Sequence, residues 1–263
     1  MKAKIAGTEL SYDVRGKGPA VLLLHAFPLS LAMWDDQARA LEGQFQVVRF
    51  DARGFGGSPA GDAILTMERI ADDGAALLDH LNIGKAIVGG CSMGGYAAFA
   101  FVRRHADRLK ALVLQDTRAG ADTDEARRNR ATLAEKVRKE GAVAALEAFL
   151  PKLLGATSHG ERPQLVAQVR GMILVTPPRG IADALGGLAA RADSTPTLRE
   201  IRVPTLVVCG EEDVLTPPSE AEALHHGVAG SRLEIIPKAG HLANLENPEA
   251  VNQVLGKFLA GIS

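Results

Sequence analysis

The chain has 263 residues, 46% of them hydrophobic and 23% charged, with a net charge of −1; this is enough to bury one large core, and it excludes a disordered or fibrous polypeptide. The near-zero charge supplies no basic field, which argues against nucleic acid or an anionic membrane as the main partner. No run reaches the roughly 18 apolar residues of a membrane span, and Cys91 and Cys209 form no CxxC or Cys/His metal spacing, so both read as small buried hydrophobes.

In chain order, "KIAGTELSYDV" predicts a hairpin turning at Ala6-Gly7-Thr8. It has no apolar signal core, so cytoplasmic residence is the expectation. Apolar runs follow at 20–25, 46–50, 86–90, 111–115, 205–210 and 233–236. Most are continuous rather than alternating, as in strands buried on both faces of a mostly parallel sheet. Helical patterns lie between them at 31–41, 67–81, 93–105, 218–226 and 248–259. In the second, Ile70, Leu77, Leu78 and Leu81 form an apolar stripe. This alternation predicts an α/β fold with eight strands and helices on both faces.

The rhythm breaks between Arg118 and Thr197, where no strand pattern appears. About four helices with Gly and Pro punctuation are expected there. The first is highly charged, with Asp124–Arg128 and Glu135–Lys139 at i,i+4 spacing. Residues 118–197 therefore read as a helical cap, or lid, inserted between strands 6 and 7, and residues 1–117 and 198–263 as the core domain. Inserts at strand C-terminal ends commonly lie over the ligand crevice.

"GGCSMGG" places Gly90-Cys91-Ser92-Met93-Gly94 between a strand and a helix, the context that a G-x-S-x-G turn requires. Small neighbours allow a strained turn that lifts the Ser92 hydroxyl above the sheet, facing a helix N-terminus that favours negative charge. A phosphate-binding G-x-G-x-x-G does not fit, and no Walker lysine follows. A serine nucleophile needs a base held by a third group. His241, in the loop after the last strand, is preferred to His25, which ends a strand in "LLLHAFP". Asp213 in "CGEEDVLTPP" is preferred to Asp116 in "LVLQDT", because it puts Ser, Asp and His in order on loops at strand C-terminal ends. The N–H groups of Met93 and Phe27 are the candidate oxyanion donors.

The segments "LLLHAFPLSLAMWDDQ", "FDARGFGGS", "GGCSMGG", "GEEDVLTPP" and "AGHLANLENPEAVNQVLGKFL" together resemble the α/β-hydrolase superfamily over nearly the whole chain, and within it the small esterase and 3-oxoadipate enol-lactonase-like branch. The resemblance implies Ser92, Asp213 and His241 as a triad and Phe27 and Met93 as the oxyanion hole. Many relatives have Gly where this chain has Ala26. Asp51 and Arg53 are expected to brace a loop. The family fold would put Cys91 and Cys209 on strands separated by a third, roughly 10 Å apart and beyond the reach of about 7 Å for a disulfide.

The expected chemistry is cleavage of a small ester or lactone through an acyl-enzyme, with no metal and no organic cofactor. Alternatives keep the triad but change the reaction: 3-oxoadipate enol-lactonase proper, C–C bond hydrolysis or cofactor-free perhydrolysis. A non-enzymatic alternative is a small-molecule sensor using the same pocket. Serine at the elbow disfavours an aspartyl-nucleophile dehalogenase or epoxide hydrolase. Phe27, Trp34, Met93, Met172, Val214 and Leu242 are the pocket candidates, with plain core packing as the competing reading. The cap reads as apolar inside, without an arginine clamp, which leaves the charge of the acyl group open. Oligomeric state has no signal in the sequence.

Overall fold

The N-terminal ribbon turns on two consecutive left-handed residues, Ala6 at φ 47° and Gly7 at φ 80°, the geometry that matches the twist of a tight hairpin. It joins Lys2–Ile5 (β1) to Thr8–Arg15 (β2). The structure, a computed structural model, describes residues 1–262. The remaining strands are Ala20–Leu24 (β3), Gln46–Phe50 (β4), Ala86–Cys91 (β5), Leu109–Gln115 (β6), Thr205–Gly210 (β7) and Arg232–Ile236 (β8). They form one eight-stranded sheet in the order β1-β2-β4-β3-β5-β6-β7-β8. Pairing is antiparallel for β1–β2 and β2–β4 and parallel from β4 through β8. Every residue of β3, β5 and β7 is buried, which is why these runs are continuous rather than alternating. The mostly parallel eight-stranded sheet flanked by helices is the architecture expected from the sequence.

The flanking helices are Asp35–Leu41 (α1), Met67–His80 (α2) and Met93–Arg104 (α3), and after the insert Pro218–Gly227 (α10), Ala243–Glu246 (α11) and Pro248–Leu259 (α12). The helix expected over 31–41 is two pieces. Leu31–Trp34 is a 3-10 turn, and Trp34, at φ −98° and ψ 12°, breaks the register before α1. Helix α2 starts where the Thr66 side chain accepts from the Arg69 N–H, and it buries Ile70, Leu77 and Leu78. Ten consecutive residues of α3, Met93–Val102, are buried, so this helix is enclosed rather than amphipathic.

Between β6 and β7 lie Asp124–Glu140 (α4), Ala142–Leu153 (α5), Ala156–Glu161 (α6), Pro163–Leu174 (α7), Pro178–Ala190 (α8) and Thr195–Leu198 (α9). The expectation of about four is corrected to six, because α6 and α9 have six and four residues and are too short to show a 3.6-residue period. The expected boundary between residues 197 and 198 falls inside α9. The expected i,i+4 pairs on α4 do not form. Asp124 instead pairs with Arg127 and Glu135 with Arg138, each three residues on, and Lys136 reaches Glu140. These are exposed contacts worth little individually.

The sheet order reverses beside β3: the chain runs outward from β3 to β4, then crosses back to β5. A crevice opens at the strand C-terminal ends at such a switch point. The loops after β3, β5, β7 and β8 carry Phe27, Ser92, Asp213 and His241.

Candidate active site

Ser92 sits at φ 53° and ψ −111°, a conformation that costs a non-glycine residue about 1–3 kcal/mol. The surroundings impose it. A Cβ on Gly90 would run into the Gly94 carbonyl, one on Gly94 into the Leu24 carbonyl of β3, and one on Gly95 into the Thr117 side chain. The turn is held by the Ser92 N–H donating to the Gln115 carbonyl at 3.0 Å and by the Thr117 hydroxyl donating to the Ser92 carbonyl at 3.0 Å.

The Ser92 Oγ lies 2.8 Å from His241 Nε2, and His241 Nδ1 lies 2.8 Å from Asp213 Oδ2. A carboxylate only accepts, so the proton of neutral His241 belongs on Nδ1, leaving Nε2 to accept from the serine hydroxyl. Asp213 is fixed in turn: its Oδ1 accepts from the Leu215 and Thr216 N–H groups at 2.8 and 3.0 Å, and its Oδ2 from the Thr216 hydroxyl at 2.7 Å. Burial alone would push the Asp213 carboxyl up, but the neighbouring His241 and the Thr216 hydrogen bonds overcome it and hold the carboxyl below the usual range. Thr216 was not anticipated. Its only sequence signal is its place three residues after Asp213, where a short turn lets a hydroxyl reach back.

The rival residues do other work. His25 is buried, its Nε2 accepts from the Ala52 N–H at 3.0 Å and its Nδ1 lies 3.0 Å from the Ala26 carbonyl, so it ties the β3 loop to the β4 loop. Burial pushes its pKa down, favouring the neutral ring. Asp116 accepts from the Gly210 N–H at 2.7 Å, from Gln115 at 3.1 Å and from the Ala243 N–H at 3.3 Å. Burial first, then repulsion from Asp213, pushes its carboxyl well above the usual range. Asp51 accepts from the Leu31 and Gly57 N–H groups, and Arg53 makes a two-pronged pair with buried Asp73, so both brace loops.

A cavity of about 140 Å³ opens above Ser92 and His241. Phe27 and Met93 line it, and neither N–H donates to a protein acceptor among the described residues. Tyr96, Phe149, Leu153, Leu188, Leu215 and Thr216 complete most of the wall. The other four pocket candidates do not line this cavity. Trp34 and Leu242 are packed into the core, at 2% and 0% exposure, and Val214 points to solvent at 68%. Met172 is half-buried against the core on α7, a helix that contributes no lining residue. Arg118 and Arg130 from the inserted segment, which the sequence did not place, also line the cavity, so its wall is not wholly apolar.

Asp116, Cys209 and Asp213 bring one ligand atom each within 4.8 Å of one another. All three are already engaged by hydrogen bonds: the Cys209 thiol donates toward the Gly210 and Thr216 carbonyls, and burial pushes that thiol up, away from the thiolate a metal requires. Both cysteines are free and buried. Among the described residues no helix is long and apolar enough to cross a membrane.

Residues 19–248 match the family model described as alpha/beta hydrolase fold. A thermophilic esterase from Thermogutta terrifontis, solved with malate bound, is 42% identical, with 100% of this chain and 98% of that one covered at a TM-score of 0.97. The enol-lactonase of Burkholderia xenovorans LB400 is 33% identical over 99% of this chain and 100% of its own, at a TM-score of 0.92. The 3-oxoadipate enol-lactonase 1 of Acinetobacter baylyi is 29% identical over 97% of this chain and 95% of its own length.

Proposed function

This chain belongs to the alpha/beta hydrolase family, and from that premise we propose that it hydrolyses small carboxylic esters or lactones by a serine mechanism. Its similarity to an esterase and to enol-lactonases supports the bond type. The observation that carries the mechanism is the line of two 2.8 Å contacts from Ser92 Oγ through His241 to Asp213.

On this reading His241 Nε2 takes the hydroxyl proton as Ser92 Oγ attacks the carbonyl carbon. The tetrahedral oxyanion is held by the Phe27 and Met93 N–H groups, each worth about 3 kcal/mol in the transition state. Collapse breaks the bond to the alkoxy oxygen, which leaves with the proton from His241; in a lactone it stays tethered to the acyl group. Water, deprotonated by His241, then attacks the acyl-enzyme, and collapse returns the proton to Ser92 and frees the acid. Asp213 keeps the imidazole in the required tautomer and stabilises its charged form. No step requires a metal or organic cofactor. Residues 118–197 act as a cap: Arg118, Arg130, Phe149, Leu153 and Leu188 come from that segment and line the cavity together with Ser92.

Ser92→Ala is expected to lower kcat for p-nitrophenyl acetate by about 10³-fold or more, measured on protein whose circular dichroism is unchanged. An undiminished rate would sink the serine mechanism.

A further inference from the structure

The Phe27 N–H lies on a loop, and a loop donor stabilises an oxyanion well only if its aim is fixed before the charge develops. Part of that aim is local. The Ala26 N–H donates to Met33 Sδ at 3.1 Å, and the Leu29 N–H closes a turn onto the Ala26 carbonyl at 2.9 Å. Between these anchors, the peptide groups of Phe27 and Pro28 make no hydrogen bond to the core domain among the described residues.

What reaches them comes from the insert. Thr176, in the turn between α7 and α8, is 2% exposed, and its hydroxyl lies 3.0 Å from the carbonyl of buried Pro28. The same oxygen lies 3.0 Å from the Met172 carbonyl, so one hydroxyl proton serves two carbonyls. Phe149 on α5 meets the Phe27 ring edge to face at 5.1 Å, and Phe55 of the core meets it at 6.3 Å. The insert offers a firm support at this point. A Cβ on Gly180 would run into the Gly54 carbonyl and one on Gly187 into the Leu65 carbonyl, so α8 rests backbone against backbone on the core. The Leu65 N–H also donates to the Asp183 carbonyl at 3.1 Å. Without the Thr176 hydroxyl the Pro28 carbonyl would be buried with no donor, and turning it toward water would carry Phe27 with it.

We infer that Thr176 is a positioning residue: by holding the Pro28 carbonyl from the insert it aims the Phe27 N–H at the oxyanion, while Phe149 fixes the ring of the same residue. The inference deepens the serine-hydrolase reading and rests on it. The insert then frames the oxyanion hole as well as walling the cavity.

The test uses two inhibitors of one shape. 1,1,1-Trifluorohexan-2-one accepts Ser92 Oγ at its carbonyl carbon, the hydroxyl proton passing to His241 and the carbonyl oxygen becoming an oxyanion in the hole; hexan-2-one binds as the intact ketone. Thr176→Val keeps the branched shape and removes the hydroxyl. It is expected to weaken the trifluoro ketone and to lower kcat/KM for p-nitrophenyl acetate by the same factor, about tenfold, with hexan-2-one within about twofold of wild type. Thr176→Ser is expected to restore both to within about twofold. Equal losses for the two ketones, or no loss for either, overturn the positioning role. A crystal structure of the wild-type protein with the trifluoro ketone needs no variant to fold: an oxyanion within hydrogen-bond reach of the Phe27 nitrogen, with the Thr176 oxygen on the Pro28 carbonyl, supports the role, and a Thr176 oxygen out of reach of that carbonyl overturns it. Ser92-dependent cleavage by the wild type with no loss in Thr176→Val sinks the positioning role alone. A wild type that neither cleaves the ester nor prefers the trifluoro ketone sinks the hydrolase reading itself.

Discussion

Asp213 and Asp116 are both buried carboxyls near the end of the sheet, and their partners separate them. Asp213 faces His241 and two N–H donors and is held ionised; Asp116 faces Asp213 and is pushed toward its neutral form. Asp213→Asn is expected to lower kcat by about 10³- to 10⁴-fold, because the imidazole loses the acceptor that fixes its tautomer. Asp116→Asn should keep kcat within about tenfold while lowering stability by about 1–2 kcal/mol, since it disturbs acceptors for Gly210 and Ala243 and leaves the imidazole untouched. Ester hydrolysis and thermal melts on the two variants separate these outcomes; a collapse of activity in Asp116→Asn would make Asp116 the working acid. The sign for Asp213 follows from its lowered pKa. Its contribution to stability is fully present above the unfolded value of about 3.9 and is lost as pH falls through the lower folded value.

Elements meet here where side chains are missing or where one carboxylate serves several loops. The β5–α3 elbow is possible because Gly90, Gly94 and Gly95 let backbone approach backbone. Gly90→Ala places a methyl against the fixed Gly94 carbonyl and should cost about 3 kcal/mol or more in urea unfolding. Glu246 on α11 plays the reciprocal part. Its buried carboxylate accepts from the N–H groups of Gly155 in the insert and of Gly240 and Leu242 around His241, at 2.7, 2.8 and 3.3 Å. Glu246→Ala leaves three donors without an acceptor, so a loss of at least about 2 kcal/mol is expected. A fall in kcat should accompany it, because the loop carrying His241 is no longer pinned to the insert.

At the scale of the whole molecule, Asp122 ties together the two ends of the insert. Arg118 follows β6, Arg130 lies on α4 and Arg191 follows α8, and all three meet on its carboxylate. With the carboxyl lowered to about 2, the cluster stabilises the fold fully above about pH 4. That stability, about 2 kcal/mol, is lost as pH falls toward 2. Unfolding free energies between pH 5 and pH 2 should therefore decline in the wild type, and Asp122→Asn should both lower stability at neutral pH and flatten that decline. The cavity between sheet and insert also limits the acyl group. Esters of acetate and butyrate are expected to be cleaved at least about 100-fold faster than palmitate, which far exceeds about 140 Å³.

The sequence by itself determined whatever depends on neighbours in the chain. Continuous apolar runs marked strands buried on both faces, and glycine spacing around Ser92 marked a turn that only small residues permit. Their order along the chain, each on a loop after a strand, also marked Ser92, Asp213 and His241 as one set, because loops at the same ends of parallel strands share one edge of the sheet. Only the tertiary structure decided the rest. Helices α6 and α9 carry too few residues to show a period, and the insert's share of the cavity wall comes mostly from α4, α5 and α8, whose facing sides depend on how they pack. Trp34 and Leu242 turned into the core and Val214 into solvent, because a side chain's direction from a loop is set by backbone angles that its identity does not encode. Arg118, Arg130 and Arg191 are far apart along the chain, and nothing in their spacing marks them as neighbours. They became one cluster because α4 packs on α8 and buries the single carboxylate they share.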